Sequence, residues 1–241
     1  MIDIHSHILP NIDDGAKNLE ESLVLAQFAV DNGITHSVLT PHIHEGRYEN
    51  DLDNIKKSFI EFKKALIKHN INLKIAFSAE VRISYQMLEM ITAEKLPFLG
   101  QYKDNKLLLL EMPHSHILPG SENLIDWLIQ HHIRPIIVHP ERNKEMMADY
   151  NKILPLLRKG CLLQLTAASI AGKFGKQCFD FSKYLVKKNW VNYIATDAHN
   201  LQHRPPDMKQ CLPNLIKWVG QEQTNLLVQD NAWKIVSNHF N

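Results

Sequence analysis

The stretch MIDIHSHILPNIDDG, residues 1–15, decides how the rest of the chain is read. A short apolar run, Ile2–Ile4, ends in two histidines at alternate positions, His5 and His7. A turn-forming segment with two acids, Asp13 and Asp14, follows and closes on Gly15. A buried strand that releases imidazoles and a carboxylate at its carboxyl end suits a metal site. The hexapeptide HSHILP of residues 5–10 returns at 114–119. There the apolar run Leu107–Glu111 has already delivered a glutamate, and Pro113 interrupts extended pairing before His114. The flanks do not repeat, so the second copy indicates neither a duplication nor a second histidine site. His114 and His116 are read as loop histidines without a metal, close enough to a strand end to border a substrate.

Outward from residue 1, apolar runs alternate with helical patterns. Strands are expected at Ile2–Ile4, Thr35–Leu39, Leu73–Ala79, Leu107–Glu111, Pro135–Val138, Cys161–Leu165 and Tyr193–Thr196. Most have continuous apolar cores, the pattern of parallel strands covered on both faces. Between them, Leu19, Leu23, Ala26 and Val30, then Leu52, Ile55, Phe59, Phe62 and Leu66, recur at helical spacing and are read as core-facing stripes. No linker, charge block or low-complexity tract divides the chain. One domain over residues 1–241 is therefore expected, with a helical segment from about Asp207 that caps a barrel or packs on its wall. The β-then-α order implies a parallel sheet, and seven strands favour a barrel-like closure smaller than the eight-stranded form.

The residues at the strand ends share one chemistry. The ends bring His5 and His7 with Asp14, then His42, Glu80, Glu111 and His139, and finally Asp197 and His199. In parallel α/β folds these ends gather on one face, and that face carries the chemistry. Four carboxylates converging there would repel one another unless cations lay between them. The mixture of nitrogen and oxygen donors suits two or three divalent ions such as zinc, manganese or iron. Arg142 and Arg204 stand just beyond the candidate ligands. Guanidinium matches phosphate bidentately, so the combination suggests phosphate-ester hydrolysis. The Pro205-Pro206 pair stiffens the segment that carries Arg204.

Other chemistries are excluded or disfavoured. A thiol phosphatase needs arginine six positions after its cysteine; after Cys161, Cys178 and Cys211 stand Ala167, Tyr184 and Lys217. The chain has no GxSxG elbow and no GxxxxGK[ST] loop. A formal net charge of +1 argues against bulk attraction to nucleic acid or anionic membrane. No apolar run is long enough for a bilayer span, no signal peptide is visible, and three unpaired cysteines fit a reducing, cytoplasmic setting. His44, His131, His132, His203 and His239 lack strand-end context and are read as surface or packing residues. The loop Ile43–Asn50, with Arg47 and Tyr48, is either a substrate rim or an ordinary surface turn.

In order, MIDIHSHILPNIDDGAKN, TPHIHEGRYEN, SAEV, LLLLEMP, VHPERN and TDAHNLQHRPP resemble the PHP (polymerase and histidinol phosphatase) superfamily. They are most similar to its metal-dependent bacterial protein-tyrosine phosphatases of capsule and exopolysaccharide loci. The likeness runs from residue 2 to about 206. It implies a distorted seven-stranded (β/α)7 barrel with three metals, often manganese, at the carboxyl ends of the strands. His5, His7, Glu80 and Asp197 would hold the first. Glu80 would bridge to the second, completed by Glu111 and His139, and Asp14, His42 and His199 would hold the third. The family's acid stands directly before the glycine, which favours Asp14 over Asp13. Arg142 and Arg204 match its phosphate-contacting arginines, and position 196 is Thr where Ser is common.

The implied activity is hydrolysis of protein phosphotyrosine by a metal-bridging hydroxide, on the tail of a bacterial tyrosine kinase that governs polysaccharide export. Homo-oligomers are common in that family. Two other readings stay open: a phosphatase of the same fold acting on a small ester such as histidinol phosphate or a nucleotide, and a non-catalytic metal-binding scaffold.

Overall fold

The computed structural model describes residues 1–240. Ten strands form: β1 (Ile2–Ser6), β2 (His36–Leu39), β3 (His42–Ile43), β4 (Lys74–Phe77), β5 (Glu80–Arg82), β6 (Gly100–Tyr102), β7 (Asn105–Glu111), β8 (Ile133–Val138), β9 (Leu162–Thr166) and β10 (Tyr193–Ala195). All seven expected strands are present. The three additional ones are β3, β5 and β6. The expected strand Leu73–Ala79 stops at Phe77, and after a break at Ser78 and Ala79 the chain resumes pairing as β5. Ile43, expected at the start of a loop, belongs to β3.

Parallel pairing in the order β1-β2-β4 makes one sheet, and β10-β9-β8-β7-β5-β3 makes another, with β6 antiparallel on β7. On one side the chain itself joins the two sheets, β2 running through Thr40-Pro41 into β3 and β4 through Ser78-Ala79 into β5. Hydrogen bonds from Thr40 N to Ser6 O (2.8 Å), Ser78 N to Leu39 O (2.9 Å) and Glu80 N to Pro41 O (3.1 Å) continue the pairing of neighbouring strands across those breaks. On the other side, Asp197 N donates to His5 O and His7 N to Ala198 O, both at 2.8 Å.

The continuous apolar runs divide their side chains between two cores, because successive strand residues point to opposite faces. Leu107, Leu109, Ile136 and Val138 join Ile2, Ile4 and Val38 in an inner cluster. Leu108, Leu110, Ile137 and Leu163 pack outward with Leu25, Ile55, Phe62, Leu128 and Phe181 of the surrounding helices. Those helices include α1 (Leu19–Asp31), α2 (Leu52–Lys68), α3 (Ser121–Gln130) and α4 (Lys176–Lys187). Asn18 caps α1, its Oδ1 accepting from Glu21 N at 2.9 Å.

The helical segment expected from about 207 is present as α5 (Leu212–Asn225) and α6 (Asn231–Val236) with short connections. Ala232, Ile235 and Val236 enter the inner cluster alongside Ile2 and Leu107. No helix of the described residues is long and apolar enough to cross a membrane.

Candidate metal centre

The breaks that split β2 from β3 and β4 from β5 place His42 and Glu80 at the first residue of each resumed strand, paired with one another. The β1 register also shifts between Asp3 and Ser6. His139 (φ 34°), directly after β8, and Asp197 (φ 52°), two residues after the end of β10, both have left-handed backbone. Such a conformation costs a non-glycine residue about 1–3 kcal/mol and concentrates at functional sites.

These departures from regular pairing bring nine side chains together. Nε2 of His5 and Nε2 of His7 lie 3.2 Å apart. Each is 3.2 Å from Glu80 Oε2 and about 3.5 Å from Asp197 Oδ1. His139 Nε2 meets Glu80 Oε1 at 2.7 Å. His42 reaches Glu80 Oε2 through Nδ1 (2.9 Å) and Asp14 Oδ1 through Nε2 (3.3 Å), and Glu111 Oε2 is 3.9 Å from His42 Nδ1. His199 Nε2 is 3.4 Å from the same Asp14 oxygen. Three sets have donor atoms close enough to share an ion: His5, His7, Glu80 and Asp197; His42, Glu80 and Glu111; and His7, Asp14, His42 and His199. His42 thus stands between two of them, and His139 joins through Glu80.

The donor chemistry fits divalent cations. Metal-binding histidines ordinarily donate one ring N–H to an outer acceptor and turn the other nitrogen to the ion. Here His5 Nδ1 donates to Gln164 Oε1 (2.7 Å), His7 Nδ1 to Asp13 Oδ2 (2.6 Å) and His199 Nδ1 to Asp197 O (2.9 Å). Buried Glu80 Oε2, Glu111 Oε2, His42 Nδ1 and His199 Nε2 all lack a hydrogen bond of good geometry. Unsatisfied polar atoms so concentrated would be costly without a further partner.

Charge favours that fit at Glu80, Asp197, His139 and His199. Burial opposes ionisation of Glu80, but His42 and His5 outweigh it and hold the carboxyl well below its usual range. Asp197 is likewise held low against its burial by His199 and Arg142. Burial and the Arg142 charge push His139 down to about 3; burial and His7 push His199 to about 4. Both rings are thereby kept neutral, the form that ligates. Burial would lower His42 too, yet Glu80 and Asp14 raise it to about 10.

Both arginines enter this shell. Arg142 Nη1 donates to Asp197 Oδ2, and Arg204 Nη1 reaches the same oxygen at 3.4 Å, with Arg204 Nη2 3.9 Å from Asp14 Oδ2. The guanidinium of Arg142 lies 5.2 Å over the Phe174 ring, and its Nη2 donates to His114 Nε2 at 3.3 Å. His116 remains exposed.

Several supporting roles escaped the sequence reading, including those of Asp13 and Tyr48, which it names for other reasons. Asp13 holds His7, Gly15 N and His42 N. Gln164 orients His5. Arg82 Nη1 pairs with Glu111 Oε1 at 2.9 Å. Buried Asp3 accepts from Thr196 N (3.0 Å) and His5 N (3.3 Å), tying β1 to β10 beside two ligand candidates. Tyr48 stacks on His42 with the rings 6° from parallel. Asp13 adjoins a candidate ligand and Gln164 lies mid-strand, but Phe174 and Arg82 carried no local signal. Cys161, Cys178 and Cys211 are free and buried, their thiols pushed up to about 12 by burial, so none is a poised nucleophile.

A parallel α/β scaffold whose strand ends hold a buried histidine–carboxylate cluster flanked by arginines defines a class: an α/β protein with a candidate polynuclear metal centre. Residues 1–237 match the family described as capsular polysaccharide synthesis, CpsB/CapC, and the chain belongs to that family. It is 36% identical over 239 residues to the tyrosine-protein phosphatase YwqE of Bacillus subtilis, covering 99% of this chain and 92% of that one. It is 30% identical to the tyrosine-protein phosphatase CpsB of Streptococcus agalactiae serotype III over the full length of both. A solved structure from the pair YwqE of B. subtilis and CpsB of Streptococcus pneumoniae, described as unique metal-dependent tyrosine phosphatases, superposes with a TM-score of 0.91. The identity there is 35%, and 99% of this chain and 95% of that one are covered. An organophosphorus hydrolase from Deinococcus radiodurans shares the fold alone, at 12% identity and a TM-score of 0.61, with 100% and 92% of the chains covered.

Proposed function

We propose that this chain is a metal-dependent phosphatase that hydrolyses phosphotyrosine on protein. The observation that carries the reading is the convergence of His5 Nε2, His7 Nε2, Glu80 Oε2 and Asp197 Oδ1, with Arg142 and Arg204 both donating to the other oxygen of Asp197, Oδ2. The tyrosine phosphatase relatives support it. The hydrogen-bonded seam between β1 and the end of β10, and the direct run of β2 into β3 and β4 into β5, support reading the sheets as one distorted seven-stranded barrel, with β2–β3 and β4–β5 each a single broken strand, in one domain.

Three divalent ions are assigned, with manganese favoured and iron or zinc as alternatives. His5, His7, Glu80 and Asp197 would hold the first; Glu80, Glu111 and His139 the second; Asp14, His42 and His199 the third. Bound there, such ions supply Lewis acidity toward phosphoryl oxygens and activate water for attack on phosphorus. The chain's own groups do the rest. Asp13 and Gln164 fix the tautomers of His7 and His5. Arg142 and Arg204 take the non-bridging phosphoryl oxygens and stabilise the charge that grows on them. Tyrosine's phenol has a pKa of about 10, so phenolate departs more readily than an alkoxide. A tyrosine kinase tail, homo-oligomeric assembly and a cytoplasmic location complete the reading; the free, buried cysteines support the last.

The test compares turnover of a phosphotyrosine peptide with that of histidinol phosphate, with and without chelator. Chelator-sensitive turnover favouring the peptide is expected. Preference for histidinol phosphate would replace the substrate assignment, and full activity of stripped protein in chelator would overturn the metal assignment.

A further inference from the structure

A cleft of about 640 Å³ opens beside the candidate centre and shares Asp14 with it. One wall is the start of α1, with Asn18 and Val24; the other is the turn that begins at Asn200 and carries Leu201. Each wall is continuous in sequence with the centre. Asp14 leads through Gly15 into α1. His199 leads into the turn, which an antiparallel bridge between Asn200 and Arg204 closes.

Val24 is 46% exposed and Leu201 38%, so both walls hold an aliphatic side chain in water. Asn18 and Asn200 commit their Oδ1 atoms to their own turns, accepting from Glu21 N (2.9 Å) and His203 N (2.8 Å). Neither Nδ2 donates to another of the described residues. The cleft therefore offers two apolar contacts and two amide donors. Its charge is net acidic, Lys17 standing against Asp14, Glu20 and Glu21. That is the chemistry of an extended peptide, whose carbonyls accept and whose side chains alternate.

We propose that this cleft takes the polypeptide flanking the phosphotyrosine, with an aliphatic side chain of the substrate seated between Val24 and Leu201. The assignment rests on the phosphotyrosine reading above. A phosphate held by Arg204 and the cluster brings the tyrosine's own backbone to the mouth of the site. An extended chain advances about 3.3 Å per residue, so its near neighbours reach a cleft that shares Asp14 with the cluster. A small ester would leave Val24 and Leu201 in water. The enzyme thus selects phosphotyrosines with apolar neighbours.

The test uses the metal-loaded full chain and three probes: p-nitrophenyl phosphate, a phosphotyrosine peptide with leucines at the two positions on either side, and the same peptide with serines there. Wild type should show kcat/KM about tenfold higher for the leucine peptide than for the serine peptide, the scale of partly burying one aliphatic side chain. Val24→Ser and Leu201→Ser, on opposite walls, should each collapse that ratio toward one, whereas Ile67→Ser, on α2, keeps it. Equal turnover of the two peptides by wild type, or an undiminished ratio in both cleft variants, overturns the cleft assignment and leaves the phosphatase reading standing. Turnover of p-nitrophenyl phosphate with none of either peptide overturns the protein-phosphatase reading itself. A shift of Leu201→Ser toward monomer in gel filtration, with the peptide ratio intact, assigns the cleft to a second copy of the chain and also overturns the proposal.

Discussion

The same six residues, HSHILP, occupy two opposite environments in this molecule. In the first copy His5, Ser6, His7, Ile8 and Leu9 are all fully buried. In the second, His114, Ser115 and His116 are exposed. The difference lies in what precedes and surrounds each copy. The first continues β1, so its backbone is fixed by Ala198 and Thr40 on either side, and Gln164 and Asp13 fix the two rings. The second begins after Glu111 has ended β7. Its backbone is tied by Asn143 Nδ2, which donates to Pro113 O (2.6 Å) and His116 O (3.0 Å), and by Glu145, which accepts from Ile117 N (2.8 Å). Those ties hold the loop but leave its histidine rings outside the cluster. A His-x-His pair becomes a candidate ligand set only where outer acceptors turn both rings inward.

Substitutions can break or sharpen that contrast. The largest effect is expected for His7→Ala, whose ring faces Glu80, Asp197 and His5. Phosphotyrosine turnover should fall at least about 100-fold, with metal content reduced by elemental analysis. Next is Asp13→Asn, which leaves the first copy intact but weakens the acceptor for His7. Metal affinity measured by competition with a chelator should fall about 10–100-fold. In the second copy, His114→Ala removes the acceptor beside Arg142 and a ring stacked on His139 at 5.8 Å, but no candidate ligand. KM should rise about two- to tenfold with kcat little changed, the scale of one hydrogen bond. Smallest of all, His116→Ala should alter kinetics by less than about twofold. A loss from His116→Ala matching that from His7→Ala would erase the contrast between the copies.

Gly15 offers a structural counterpart. A Cβ placed there would stand 1.9 Å from His7 O. That carbonyl accepts from Ala16 N at 3.2 Å, so the turn folds directly back on the first histidine pair. Gly15→Ala should lower the melting temperature and metal content together. Comparing the two by thermal denaturation and elemental analysis checks that the turn and the site are one unit.

The strands were legible because buried parallel strands write continuous apolar runs, and the candidate ligands because they follow those runs directly. The short strands β3 and β5 were not. Two or three residues give no periodicity, and the interruptions at Thr40-Pro41 and Ser78-Ala79 look like strand ends. They are breaks within paired backbone, and they turn His42 and Glu80 toward the other donors. Phe174 and Arg82 were invisible for a different reason. Each acts on a residue far away in sequence, Arg142 and Glu111, and distance along the chain conceals such pairs.

The inner cluster has one further consequence, for the order in which the molecule can be completed. Ile2 and Ile4, made well before α6, share that cluster with Ala232, Ile235 and Val236 of α6. A nascent chain lacking α6 would leave that apolar interior without its helical contribution. Synthesis proceeds at about 5–20 residues per second, so some ten seconds or more separate the two ends of this contact. During that interval the strands that carry the histidines exist without the helix that completes the inner core, a window in which a chaperone or the ribosome surface would be the neighbour of Ile2 and Ile4.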